Sequence, residues 1–324
     1  CGVKAIGSDE QGRASILEDK CVSCGMCMVS CPFGAISDKS QIFQLSHALR
    51  DGDKIIAIVA PAYISQFGDD VTTGKFKTAL QVLGFSGVHE VAFGADVGAI
   101  SEAHHYAKEV ATGNLPFLLT SCCPSWSMMA KKFFPTMIDN ISQELTPMVA
   151  TARKVKQEQP DAKVVFIGPC ASKKLEAMRR TVRSDVDFVL TFEELDAMFD
   201  AREIDPASFE EDGSLHDATA AGRGYAVAGG VAGAIEACLK EYYPDVPVRI
   251  EHAESLAECK KVLALAKAGK LNGCMIEGMA CPGGCMGGAG TNVPVAKSSK
   301  ELKKFLASCS KKLPPKGLVD IELN

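Results

Sequence analysis

The residues best equipped for chemistry in this sequence are its cysteines, 14 among 324 residues. The densest arrangement lies toward the C-terminus, in Glu277-Gly278-Met279-Ala280-Cys281-Pro282-Gly283-Gly284-Cys285-Met286-Gly287-Gly288-Ala289-Gly290. Two cysteines four positions apart share this stretch with six glycines and one proline. Glycine accepts positive φ and lets backbone amides close in on a bulky anionic group, which residues with side chains resist. A pair of thiolates in such a loop is half a socket for an iron–sulfur cluster. Two further loops offer the other half: Ser121-Cys122-Cys123-Pro124-Ser125-Trp126 and Gly168-Pro169-Cys170-Ala171-Ser172-Lys173-Lys174, each directly after a short apolar run.

A different pattern occupies the N-terminus. Cys21-Val-Ser-Cys24-Gly-Met-Cys27-Met-Val-Ser-Cys31-Pro32 follows the bacterial-ferredoxin spacing C-x2-C-x2-C-x3-C-P. C-x2-C pairs also serve zinc, but the fourth Cys-Pro and the Ala-Ile tail favour a [4Fe–4S] cluster. In two-cluster ferredoxins the fourth cysteine of each run ligates the other cluster. Cys31 is therefore expected to serve a second cluster. Cys1, whose Gly-Val-Lys-Ala-Ile tail parallels the Pro-Phe-Gly-Ala-Ile after Cys31, is expected to complete the cluster of Cys21, Cys24 and Cys27. Because the sequence opens on Cys1 rather than Met, this ferredoxin-like unit, residues 1–36, is expected to be truncated.

The elements that must position the remaining cysteines can be read from hydrophobic pattern. Ile55–Val59, Val88–Phe93, Phe117–Thr120, Val164–Ile167, Phe188–Leu190, Val248–Ile250 and Cys274–Ile276 read as strands. Ser101–Thr112, Ser125–Phe134, Phe192–Phe199 and Ser255–Lys267 read as amphipathic helices between them. Such alternation specifies an α/β body with mostly parallel sheets flanked by helices. Residues 37–324 are expected to form this body, in two lobes split near residues 155–162. Ligands of open α/β sheets bind beyond the carboxyl ends of the strands, so three strands deliver cysteines to one crevice. Cys238, Cys259, Cys274 and Cys309 stand singly within elements and read as small buried hydrophobes. The acidic stretch Asp205–Asp217 reads as a solvated surface loop.

Composition excludes several classes. A net charge of −5 gives no basic footprint for nucleic acid. No apolar run reaches the ~18 residues needed to span a bilayer, and Tyr225–Leu239 reads as a Gly/Ala-rich buried helix. Nothing resembles a secretory leader. Cysteine-rich frameworks of disulfides belong to short secreted scaffolds, so these spacings point to metal ligation in a reducing compartment, the cytoplasm.

The three loops resemble the signature motifs of [FeFe]-hydrogenases, and the N-terminal unit is similar to their ferredoxin-like electron-relay domain. The family's T-S-C-C-P-x-W is present as Thr120–Trp126, its M-P-C-x-x-K-x-x-E as Gly168–Glu176, and its E-x-M-A-C-x-G-G-C-x-x-G-G-G-Q as Glu277–Thr291 with changes near the end. The resemblance covers essentially the whole chain. It implies that Cys123, Cys170, Cys281 and Cys285 hold the cubane of an H-cluster, with Cys285 bridging to a two-iron subsite carrying CO, cyanide and azadithiolate. It further implies that Lys173 hydrogen-bonds one cyanide, Ala60-Pro61-Ala62 lies against the other, Pro147 and Met148 lie near the distal iron, and Met279 packs on the iron pair. Buried negative charge of this kind needs donors to meet it.

The same resemblance makes Cys122 the terminal proton donor, followed outward by Glu102 and Ser142. Where the family has a second glutamate this sequence has His105, whose imidazole titrates near ~6.5 and can donate and accept. Gly168, Met148, Ala62, Ala289 and Thr291 also depart from the family's usual residues, marking a divergent branch. The implied activity is reversible reduction of protons to H₂. Electrons would come through one or two additional [4Fe–4S] clusters from a ferredoxin or flavoprotein, and dedicated maturation proteins would supply the two-iron subsite. Two other readings share these motifs: a low-turnover H₂ sensor, and an iron–sulfur assembly protein lacking the two-iron subsite.

Overall fold

A computed structural model describes residues 1–211, 213 and 215–323. Nine strands form three sheets. In the N-terminal unit β1 (Ile6–Ser8) and β2 (Ala14–Ile16) make an antiparallel hairpin, with Ile6 opposite Ile16. The body contains β3 (Ile55–Val59), β4 (Gly87–Glu90), β5 (Leu118–Leu119), β6 (Lys163–Ile167), β7 (Phe188–Leu190), β8 (Ile250–Glu254) and β9 (Met275–Met279). One sheet runs β4-β3-β6-β7 and the other β5-β9-β8, every pairing in both being parallel. The body is thus the helix-flanked parallel α/β structure that the sequence pattern specifies. Strands β3 and β9 are buried at all positions, as central strands covered on both faces must be.

A single break near 155–162 does not separate the two sheets. Strand β5 leaves the first group of strands to pair with β9, while β6 and β7, beyond the expected break, return to β3. Parallel units with apolar strands look alike in sequence; which sheet each joins is decided by long-range pairing, which local pattern does not encode.

Local boundaries differ where the backbone finds a better partner. The strand expected over Val88–Phe93 stops at Glu90, and helix Ala92–His105 begins at once, its Gly94 packed so closely on Pro147 and Thr151 that no side chain fits. Past His105 the helix continues as one π-turn, Tyr106–Val110, a distortion that often accompanies functional sites. The helix expected over Ser255–Lys267 forms over those residues. Asp212 and Ser214 of the acidic stretch lie outside the described residues. The rest of that stretch is partly packed rather than simply solvated: Leu215 is buried, and Asp217 exchanges hydrogen bonds with the Glu90 N–H and carboxylate.

The N-terminal unit is fastened to the body. Val22 is buried among Trp126, Leu256 and their neighbours, and Lys132 Nζ donates to the carbonyls of Glu18 (2.6 Å) and Cys21 (2.7 Å). Gly25, at φ +77°, faces Ala289 so closely that an added Cβ would come within 2.6 Å of that methyl. No helix among the described residues is long and apolar enough to cross a membrane.

Candidate active site

Four strands end at one cavity. Strand β3 leads to Ala60, Pro61 and Ala62; β5 to Cys122 and Cys123; β6 to Cys170 and Lys173; β9 begins the turn carrying Cys281 and Cys285. All of these residues line the cavity together with Pro147, Met148 and Met279. Trp126 and Gly278 lock two of the loops: the indole is fully buried, its Nε1 donates to the Thr120 carbonyl at 3.0 Å, and a side chain at Gly278 would overlap the ring. The third loop is tied to the second by Gly290 N–H donating to the Pro169 carbonyl at 3.0 Å. Glu277, the acidic residue opening the third motif, does not itself line the cavity. Its carboxylate accepts the N–H groups of Gly229 (2.9 Å) and Ala232 (2.7 Å) and anchors β9 to the helix Gly230–Tyr242.

Cys123, Cys170, Cys281 and Cys285 line this one cavity, each held by a defined turn. Cys123 caps helix Pro124–Phe133 and Cys170 caps Ala171–Ala177, while Cys285 sits in a single turn entered through Gly283 and Gly284, both at positive φ. Gly284 lies against the Val227–Ala228 backbone and Gly288 against Pro169, so neither position has room for a side chain. No three His, Cys, Asp or Glu side chains among the described residues converge as they would on one ion. Burial pushes the Cys170 thiol up to about 11, and Cys281 and Cys285 are raised mainly by burial as well. Without metal these thiols hold their protons at pH 7, and iron must displace them on binding.

Polar groups are few and specifically placed. Lys173 is buried beside the cavity, its Nζ 2.6 Å from Glu176 Oε2 and 3.4 Å from the Cys122 carbonyl. Burial works against its charge, yet Glu176, Cys170 and Cys122 outweigh that and raise its pKa, so it enters the site as an ammonium. Glu176 is itself held by the Thr146 hydroxyl at 2.7 Å. The Tyr225 hydroxyl, also buried at the cavity wall, has no hydrogen-bond partner among the described residues. A buried cation and an unspent hydroxyl facing cysteines fit an anionic group with acceptor atoms.

Behind Cys122 lies a line of protonatable groups. The Cys122 thiol is pushed well above its ordinary range by burial, then by the charge of Glu102, and so stays protonated. Glu102 is 3% exposed. Burial lifts its carboxyl to about 8, the charges of Glu144 and Glu277 add to the rise, and hydrogen bonds from Ser142 and the Ser121 N–H oppose it. Ser142 is placed there by a bridge between Ile141 and Leu119 that lays the segment beside β5, with Ser142 N–H on the Leu119 carbonyl at 2.8 Å.

Residues 53–289 match the family described as iron only hydrogenase large subunit, C-terminal domain, and residues 14–37 match a 4Fe-4S binding domain. The chain belongs to the iron-only hydrogenase family. It is 30% identical to the NADP-reducing hydrogenase subunit HndD of Solidesulfovibrio fructosivorans over 85% of its length and 56% of that protein's. With Iron hydrogenase 1 of Clostridium pasteurianum the figures are 30%, 80% and 54%, so the chain spans about half the length of these relatives. It is also 33% identical to the cytosolic Fe-S cluster assembly factor NAR1 of Kluyveromyces lactis, over 36% of this chain and 25% of that one. A structure of [FeFe]-hydrogenase HydA1 from Chlamydomonas reinhardtii shares the fold at a TM-score of 0.67 with 21% identity, covering 84% of this chain and 91% of that one.

Within this iron-only hydrogenase family member, the departures noted in the sequence have local structural answers. At Gly168, the ring of Phe166 and the methyl of Ala60 occupy the space a side chain would need, with an added Cβ 2.6 Å and 2.9 Å from them. Ala289 meets Gly25 of the N-terminal unit, and the Thr291 hydroxyl turns back to the Gly288 carbonyl at 3.0 Å. His105 does not line the cysteine cavity; it borders a separate cleft of about 630 Å³.

In the N-terminal unit, Cys21, Cys24 and Cys27 lie close enough for their charges to act on one another, and Cys24 also reaches the cavity of Cys281. Amides approach the sulfurs here: Ala5 N–H lies 3.3 Å from Cys1 Sγ, Ser23 N–H 3.4 Å from Cys21 Sγ and Ala35 N–H 3.4 Å from Cys31 Sγ. Sequence reasoning missed Tyr225, Phe166 and Glu144. Tyr225 falls in a segment whose only signal was small residues, and Glu144 in one with no periodicity at all. Cys238, Cys259, Cys274 and Cys309 are buried singly as their patterns indicated.

Proposed function

We propose that this chain is the catalytic part of an [FeFe]-hydrogenase, interconverting protons, electrons and H₂. The observation that carries the reading is the convergence of Cys122 and Lys173 on the cavity lined by Cys123, Cys170, Cys281 and Cys285. The four cysteines would hold a cubane, and Cys285 would link it to a two-iron subsite that supplies the hydrogen-binding chemistry when bound. Lys173 would meet that subsite's negative charge, and Tyr225 would offer a second donor. Ala60, Pro61, Ala62, Pro147, Met148 and Met279 would wall it from water, which strengthens every electrostatic interaction inside. The chain's own share of turnover is proton handling. Cys122 holds a proton beside the reacting centre, and Glu102, raised to about 8, passes protons between Cys122 and Ser142.

Cys24 beside Cys281 supports electron entry through the N-terminal cluster, fed by a ferredoxin or flavoprotein in the cytoplasm. None of the fourteen cysteines is joined in a disulfide among the described residues. The kinship to NAR1 keeps an assembly role as a second reading, but such a role has no use for a buried proton line ending at Cys122. Maturation proteins, or a synthetic two-iron complex, are required before any assay. After such loading we expect H₂ evolution from a reduced donor. Cys122→Ala should lower it by ~10²-fold or more, the scale of a lost general acid, with the clusters still in place. Unchanged turnover in that variant would remove Cys122 from the mechanism.

A further inference from the structure

The proton line described so far stops at Ser142, which is 3% exposed. A buried hydroxyl cannot exchange protons with bulk water unless a neighbour does so for it. The sequence position that the family resemblance assigns to this task is His105. It lies three residues beyond Glu102 on the same helix and borders the open cleft, but no hydrogen bond joins its ring to Glu102 or Ser142 among the described residues.

Glu144 is placed differently. Its N–H donates to Ser142 Oγ at 3.3 Å, and its carbonyl accepts from the Ser121 hydroxyl at 3.1 Å, so its backbone is pinned on both sides of the proton line. It is half-buried and lines the cleft of about 630 Å³, which neither Glu102 nor Ser142 reaches. Glu144 therefore touches the buried line through its backbone and is at the same time part of the wall of the water-accessible cleft. Its charge is felt at Glu102 and raises that carboxyl's pKa.

Resting on the hydrogenase reading, we propose that Glu144 is the outer proton carrier of this chain, exchanging protons between water in the cleft and Ser142. In the direction of H₂ formation the Glu144 carboxyl O–H bond breaks and its proton goes to Ser142 Oγ, directly or across one water. Ser142 gives its own hydroxyl proton to the Glu102 carboxylate. Glu102 then reprotonates Cys122, and Glu144, left as carboxylate, takes a new proton from water. The sum moves one proton inward, and H₂ oxidation reverses each step. The titratable side chains around these two carboxyls are Cys122, Tyr225 and Glu277 on the inner side and His104, His105, Lys108, Glu109 and Asp139 around the cleft. None is altered by a change at Glu144.

The test uses Glu144→Gln and Glu144→Asp with two readouts. In loaded protein, Glu144→Gln should lower H₂ turnover by ~10-fold or more, with CO and cyanide infrared bands unchanged, and Glu144→Asp should restore most of it. In protein carrying only cubanes, the carboxyl C=O stretch of Glu102, assigned by its loss in Glu102→Gln, should titrate at lower pH in Glu144→Gln, by on the order of 0.5–1 unit, because a neighbouring negative charge is gone. A purely structural role would leave that midpoint in place. Turnover held within ~2-fold in Glu144→Gln with the bands present, or an unmoved Glu102 midpoint, overturns the proposal. Should the unaltered loaded protein show no turnover, the hydrogenase reading itself fails, and the midpoint alone decides whether Glu144 and Glu102 form a pair.

Discussion

The cysteines at the strand ends and Cys31 of the N-terminal unit are held in opposite electrostatic settings, while Cys24, which reaches the cavity, is raised by burial like the former. Burial drives Cys170 up to about 11 against the opposing Lys173 charge and the N–H groups of Lys173 and Ser172, and it also raises Cys281 and Cys285. Half-exposed Cys31 is lowered instead, first by the Phe33 N–H and then by those of Ala35, Ile36 and Gly34. The difference separates two tasks that iron performs in one chain. A relay site near the surface needs accessible sulfurs whose charge is met by amides, because hydrogen bonds and solvent exposure set cluster potentials. A site for chemistry needs dehydration, so charge is met there by one buried lysine and protons are carried by named groups.

That contrast can be broken at its strongest point. Cys285→Ser should remove the two-iron CO and cyanide bands and all H₂ turnover, while the reduced N-terminal cluster keeps its electron paramagnetic resonance signal. Loss of both signals together would show that the two sites fold as one and that the contrast is not functional.

A smaller effect follows from Glu102. Its carboxyl is raised from the ordinary 4.5 to about 8 in the folded chain. A group whose folded pKa is raised gives stability that is complete below its unfolded value and is lost as pH rises through the folded value. The protein should therefore lose on the order of 3–5 kcal/mol between about pH 4.5 and 8 relative to Glu102→Gln. Denaturant unfolding of both proteins across that range checks this; parallel pH profiles would mean Glu102 is not held neutral by burial.

The smallest expected effect concerns the seam between the two settings. Gly25→Ala places a methyl on Ala289 at a positive-φ position and should loosen the N-terminal unit by about 1–3 kcal/mol. Proteolysis would release that unit sooner while the body's melting stays near its original temperature. Unchanged protection would mean the unit is held chiefly by Lys132 and Val22.

Much of this was legible in the residues. Six strands of the body, the helix Ser255–Lys267 and the delivery of cysteines by three strand ends follow from apolar runs and spacing, whereas β8, expected over Val248–Ile250, runs instead from Ile250 to Glu254. The division of strands between sheets did not, because β5 is only two residues long and its choice of β9 over β3 is a long-range event. Within the site, Cys122, Glu102 and Lys173 were reachable through motif resemblance. Glu144 was not: it lies on an irregular segment that long-range contacts hold beside β5, among them the Ile141–Leu119 bridge and the Ser121 hydroxyl on the Glu144 carbonyl. Tyr225 was hidden for a similar reason: the small-residue run reads as one helix over Tyr225–Leu239, whereas the helix begins only at Gly230 and Tyr225 lies in the turn that precedes it.

The central claim is that the cavity of Cys123, Cys170, Cys281 and Cys285 holds an iron pair beside its cubane. Infrared spectroscopy of protein carrying its cubanes, before and after treatment with a synthetic two-iron complex, tests it most directly. The account predicts that CO and cyanide bands survive desalting, shift under H₂, and are lost in Cys285→Ser. Fully loaded cubanes that retain no such bands would contradict it and leave the assembly-factor reading in its place.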